Sequence, residues 1–156
     1  MLRRVRPALV AALSASLIVA GATVAATGGQ KLIDSPMAGI PAGAPTLDGV
    51  LGGGLPWVID EGHAQLRADG RLHIEVRGLV LGAGGLAGTN PIPTGVGIVT
   101  CADGATRITT DPVPYSMAGD ADVDARITLP ATCLAPNVFF AGVTGAGPRW
   151  FAVNGG

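Results

Sequence analysis

Residues 62–81 read "GHAQLRADGRLHIEVRGLVL". Two apolar–polar alternations flank the turn Ala68-Asp69-Gly70, which is the pattern of a β-hairpin half-buried on one face. Ala64 and Leu66 share a face of the first strand, and Leu72, Ile74 and Val76 share a face of the second. A two-residue Asp69-Gly70 turn sets Arg67 opposite Leu72, which places a charge at a core position, one register step out. A three-residue loop, Ala68-Asp69-Gly70, pairs Leu66 with Leu72, Ala64 with Ile74 and Arg67 with Arg71. Gly70 then takes the left-handed position of a G1 bulge. The three-residue loop is therefore expected, with Asp69 near the mildly unfavourable Arg67–Arg71 pair.

That register also sets His63 opposite Glu75 and Gln65 opposite His73. The only two histidines of the chain become diagonal neighbours, roughly 7–8 Å apart at the backbone. Neutral imidazole and carboxylate oxygen both suit a transition metal, so His63, His73 and Glu75 are the candidate metal ligands. A solvated sheet face produces the same pattern, because polar residues alternate with buried ones on any half-exposed hairpin. The solvated face is the reading adopted, with the metal site as the alternative.

Beyond the hairpin, short alternating runs recur, punctuated by Gly, Pro, Asp and Asn. Strands are expected at 57–60, 63–67, 71–80, 95–101, 105–110, 123–129, 137–143 and 149–153, with a weaker one at 113–117. No helical periodicity stands out past the leader. Seven or eight short strands predict an all-β, antiparallel two-sheet sandwich of immunoglobulin-like type, residues 56–156, with a small barrel as second choice. Phe139-Phe140 and Trp150-Phe151 are adjacent pairs, so each pair sends one ring to either side of its strand.

The N-terminus reads as an export signal. Arg3, Arg4 and Arg6 precede an uncharged run, Ala8–Ala26, that ends in small residues, with Val24 and Ala26 at the −3 and −1 positions. Residues 1–26 are thus the expected signal peptide, and an uncleaved membrane anchor is the alternative. Residues 27–55 are rich in Gly, Ala and Pro and read as a tether, with a short strand near Leu47–Leu51. Loss of the leader removes three of ten Lys/Arg and none of eleven Asp/Glu, leaving a net charge of −4. The sequence shows no basic patch, so nucleic acid is not an expected partner. A membrane enters only through the N-terminal segment, if uncleaved. The two cysteines of an exported chain, Cys101 and Cys133, are expected to form one disulfide.

Other stretches carry little chemistry. "GAGGLAG", Gly82–Gly88, is followed by Pro91 and Pro93, which exclude the helix a dinucleotide loop requires. Asp120, Asp122 and Asp124 alternate along a strand and lack the glycine and glutamate of an EF-hand. Ser35 and Ser116 are the only serines after the leader, and neither sits in a nucleophile elbow. No catalytic residue and no cofactor is implied.

"GGGLPWVI", "LHIEVRGLVL", "NPIPTGVGIVTC", "GDADVDARITLPATCLAPNVFF" and "WFAVNG" together resemble small exported proteins of uncharacterised function from high-GC Gram-positive bacteria. The likeness runs from about Gly52 to Gly155 and implies export, the cysteine pair and a compact β domain, with no assigned activity. The function expected is that of a secreted or cell-envelope-associated, non-catalytic binding or structural module with an extracellular or envelope partner. The alternative is a metal-binding protein or metal-dependent enzyme built on the His/His/Glu cluster.

Overall fold

The computed structural model describes residues 29–43, 45–103 and 105–155. The expected signal peptide lies outside the described residues. Those residues form thirteen strands and no helix. They are β1 (Lys31–Gly39), β2 (Thr46–Leu47), β3 (Val50–Leu51), β4 (Trp57–Val58), β5 (Glu61–Arg67), β6 (Arg71–Arg77), β7 (Val80–Leu81), β8 (Thr94–Thr100), β9 (Arg107–Thr109), β10 (Val113–Pro114), β11 (Ala121–Arg126), β12 (Asn137–Thr144) and β13 (Gly147–Asn154).

The opening hairpin has the expected register. Leu66 pairs with Leu72, Ala64 with Ile74, Gln65 with His73 and His63 with Glu75. Gly70 adopts φ +84°, and its N–H donates to the Arg67 carbonyl at 2.9 Å. Its carbonyl accepts the Ile127 N–H at 2.8 Å, which anchors the chain just beyond β11. A Cβ at Gly70 would collide with the Ile127 carbonyl oxygen, so both the conformation and the space call for glycine here.

Nine strands form one curled sheet in the order β10-β8-β12-β13-β1-β5-β6-β11, with β9 also on β8. All its ladders are antiparallel. Two ribbons, β2–β3 and β4–β7, lie apart from it. The key element is β1. Its first part, Lys31 to Pro36, pairs with β5, and its last three residues, Met37–Gly39, pair with β13. One strand therefore joins the two halves. The halves also pack across the core: Gly97 on β8 is closed over by Ile74 and Leu72 of β6.

This placement corrects the tether reading of residues 27–55. The ordered sheet begins at Lys31, and the segment also supplies β2 and β3, joined at Asp48-Gly49. Gly, Ala and Pro composition suggested a linker, but β1 is held on both sides by neighbours remote in sequence. A bulge between Lys31 and Ile33 breaks the alternation that would have revealed it. Pro36 stands where the strand changes partners, a position at which a residue without N–H is tolerated. A second difference lies at 71–80. The expected single strand divides at Gly78, with φ +61°, after which the Leu79 N–H turns to the Gly119 carbonyl at 3.0 Å.

Core residues alternate as the pattern requires. Ala64, Leu66, Leu72, Ile74, Val76 and Val123 face Ile98, Phe140 and their neighbours in one buried cluster. Both rings of each aromatic pair are buried: Phe139, Phe140, Trp150 and Phe151. Phe151 stacks on Trp57 at 3.8 Å between centroids, and Tyr115 meets Phe140 edge-on at 5.0 Å. β12 and β13 are thus central strands covered on both faces, which their adjacent aromatics serve. Cys101 and Cys133 form the expected disulfide across a sequence separation of 32.

Two measurements test this account. Replacing both cysteines with alanine should destabilise the fold by ~3–4 kcal/mol, the loop-closure entropy for that span, read from urea unfolding. Gly70→Ala should cost ~2–4 kcal/mol, because it forces a side chain into a left-handed turn and into the Ile127 carbonyl. An unfolding midpoint equal to wild type would reject the turn geometry.

Candidate functional site: a four-strand polar face

The outer faces of β1, β5, β6 and β11 make one surface whose residues fall into rows across the strands. One row is Pro36, His63, Glu75, Asp122, and the next is Asp34, Gln65, His73, Asp124. A third joins Lys31 to Arg67 and Arg71 to Arg126. The inward faces of β5, β6 and most of β11 are buried and that of β1 is half-buried, so the period-two alternation sends the ionisable side chains outward.

Each histidine is engaged by its own carboxylate. His63 Nε2 lies 2.9 Å from Asp34 Oδ1, and His73 Nδ1 lies 2.7 Å from Asp124 Oδ1. Glu75 is paired with Arg77 at 2.9 Å, and Arg77 also donates to Asp122 at 2.8 Å. His63, His73 and Glu75 share a face as the register requires, but they turn to three separate partners. Among the described residues, no three His, Cys, Asp or Glu side chains are grouped to hold a metal ion.

Asp34 is the hub of its row. Lys31 Nζ pairs with its Oδ2, and His63 and the Gln65 amide, at 3.3 Å, reach its Oδ1. These hydrogen bonds, led by that of Lys31, hold its carboxyl well below the ordinary carboxylate range. Asp122 likewise raises the Arg77 guanidinium above its usual value. Burial pushes the Asp69 carboxyl upward, yet the Arg71 amide and the charges of Arg71 and Arg126 outweigh it and leave it lowered.

The remaining candidates are occupied structurally. Asp122 and Asp124 sit in the pairs above, while Asp120 accepts the Gly78 N–H at 3.0 Å, so the three do not converge. The Ser116 hydroxyl accepts the Asp120 N–H at 3.0 Å. The Gly82–Gly88 loop is closed by its main chain, the Gly82 N–H donating to the Pro56 carbonyl and the Gly88 N–H to the Leu81 carbonyl, each at 2.8 Å, and just beyond it lies Asn90, one of the few buried polar residues. Its amide donates to the Ile92 and Ser116 carbonyls at 2.7 and 2.8 Å. Sequence reading missed Lys31 and Asp34, because it placed them in a tether.

Three clefts border β11 or the chain just beyond it, and two of them bear on this region. One, of about 420 Å³, separates β11 from the β9–β10 edge and is lined by Ile108, Thr110, Val113, Val123 and Ile127 among others. The other, of about 460 Å³, lies on the polar face and is lined by Gln65, Arg67, Arg71, His73, Asp124 and Arg126, over Leu72 and Ala125. Fold and face together define a disulfide-closed, all-β domain with a fixed array of exposed ion pairs. No protein-family model, no curated protein and no solved structure matches the chain.

The Asp34 hub gives a pH signature. Its depressed value means that its contribution is fully present above the ordinary carboxylate range, near pH 4, and is lost as pH falls through the lower folded value. Asp34→Asn should therefore be less stable than wild type by a constant margin at neutral and mildly acidic pH. The margin should shrink below about pH 4. Urea midpoints of both proteins across that range check this, and a gap that widens on acidification would contradict it.

Proposed function

We propose that this chain is an exported, non-catalytic binding module of the extracellular space or cell envelope. The observation that carries this reading is the polar face: twelve outward positions set by the register of four strands, presenting paired charges on a rigid, disulfide-closed framework. Side chains held by main-chain register are suited to recognition, because little freedom remains to be lost on binding. The Cys101–Cys133 bond supports an oxidising compartment, in line with the export signal read at residues 1–26 and the resemblance to small exported proteins. In architecture, we read the two curled layers as a sandwich joined along β1, with the immunoglobulin-like form as its finer description.

The alternative is a metal protein using His63, His73 and Glu75. The ties of each side chain to a separate partner tell against it. Expression in an export-competent host tests both. The protein should be recovered outside the cytoplasm, lighter than its reduced form by two hydrogens on intact-mass analysis, and should bind a cell-envelope fraction saturably. Stoichiometric metal in protein purified without a histidine tag would overturn the non-catalytic reading, and a reduced cytoplasmic product would overturn export.

A further inference from the structure

The third row of the polar face is cationic along its whole length. Lys31 lies opposite Arg67, and Arg71 opposite Arg126, with the Ala68–Gly70 loop joining the two pairs. Four of the seven Lys and Arg among the described residues thus stand side by side, across three strand spacings of ~4.8 Å. They come from four strands, which is why no basic run marks the sequence.

Like charges directly opposite each other on a sheet are destabilising. The chain carries more carboxylates than cations, yet those on this face meet only two of the four cations in the row, Lys31 and Arg71. Asp34 goes to Lys31, His63 and Gln65. Asp124 goes to His73, and Asp122 and Glu75 to Arg77. Asp69 holds Arg71 at 3.1 Å. Among the described residues, Arg67 and Arg126 form no ion pair with a carboxylate; Arg67 has only the Gln65 amide oxygen, at 3.4 Å. Arg67 and Arg126, with Arg71, line the cleft on this face, where Asp124 also stands, tied to His73. A local charge conflict that Asp34 and Asp69 offset only in part is the kind of exception to local consistency that functional sites show.

We propose that Arg67, Arg71 and Arg126 bind a phosphate or sulfate group in that cleft. The inference names the ligand chemistry of the binding-module reading and rests on it. Three guanidinium forks from adjacent strands can each donate two parallel N–H bonds to a tetrahedral oxyanion. Asp69 fixes Arg71 from the turn side, and Gln65 orients Arg67. Lys31, already bound to Asp34, adds positive field at the end of the row. The anion would relieve the mutual repulsion of the row, so binding should stabilise the fold by mass action.

The test uses thermal unfolding and calorimetric titration of the whole protein with inorganic phosphate and inorganic sulfate, against chloride at matched ionic strength. A saturable rise in Tm with one or both oxyanions is expected. Arg126→Gln and Arg67→Gln should each weaken binding about tenfold, the usual scale for one lost charge-assisted contact. Their Tm in chloride should equal or exceed that of wild type. Arg149→Gln, outside the row, should bind like wild type. Polyphosphate and heparin then separate phosphate-bearing from sulfate-bearing sources.

The proposal fails if no saturable effect appears, if Arg149→Gln weakens binding as much as Arg126→Gln, or if the row variants melt lower in chloride. That last result would make these arginines structural. Preferential binding of a DNA duplex over both polymers overturns the assignment in favour of a nucleic-acid surface. Failure with all anions leaves the envelope-binding measurement to judge the wider reading by itself.

Discussion

The register of β5 on β6 is the constraint on which the rest of the molecule depends. Side chains along a strand alternate with a period of two, so one step of slip exchanges every inward residue for an outward one. Here the slip would bring Arg67, Gln65 and His63 inside and turn Leu66 and Ala64 out. Burying a leucine or isoleucine stabilises by ~1.5–3 kcal/mol, whereas an exposed ion pair contributes ~0–1 kcal/mol. The apolar face therefore decides the register, and the polar face inherits it. Gly70 fixes the same choice from the turn, and the Ile127 hydrogen bond passes it to β11. From the other side, Lys31 opposite Arg67 and Asp34 opposite Gln65 carry it into β1.

The composition of the face follows from this hierarchy. Its residues have no partners selected by the core, so their arrangement reports on solvent, on one another and on whatever the surface meets. Two of its rows resolve into hydrogen-bonded ion pairs, with Asp34 and Arg77 as the centres. The third row resolves only in part, because its four cations meet two carboxylates, Asp34 at Lys31 and Asp69 at Arg71. The same strand order thus produces a self-satisfied region and a frustrated one a few ångströms apart.

The hairpin was legible because both strands and the turn that sets them lie within one short stretch, where alternation and loop length must agree. The cysteine pair was legible from the logic of compartment, and the aromatic doublets from the two-sided burial of β12 and β13. β1 was not, since a bulge hides its alternation and its partners lie far along the chain. That omission spread to the site. Without β1 there was no Asp34 to occupy His63, and without the β6–β11 register no Asp124 to occupy His73. The two histidines and Glu75 therefore looked like free neighbours. The cationic row was illegible for a related reason: Lys31, Arg67, Arg71 and Arg126 are brought together by pairing, which no local window records.

The bridging role of β1 also orders events in time. Among the described residues it is the first strand to leave the ribosome, yet its last three residues pair with β13, the last of the thirteen. The leading strand must wait, with one edge unsatisfied, for almost the whole chain to follow. Such distant pairing imposes a large loop-closure cost before any reward, and slows collapse. A chain built this way keeps its two halves unjoined along β1 until β13 has been made, so the sheet is completed late in synthesis.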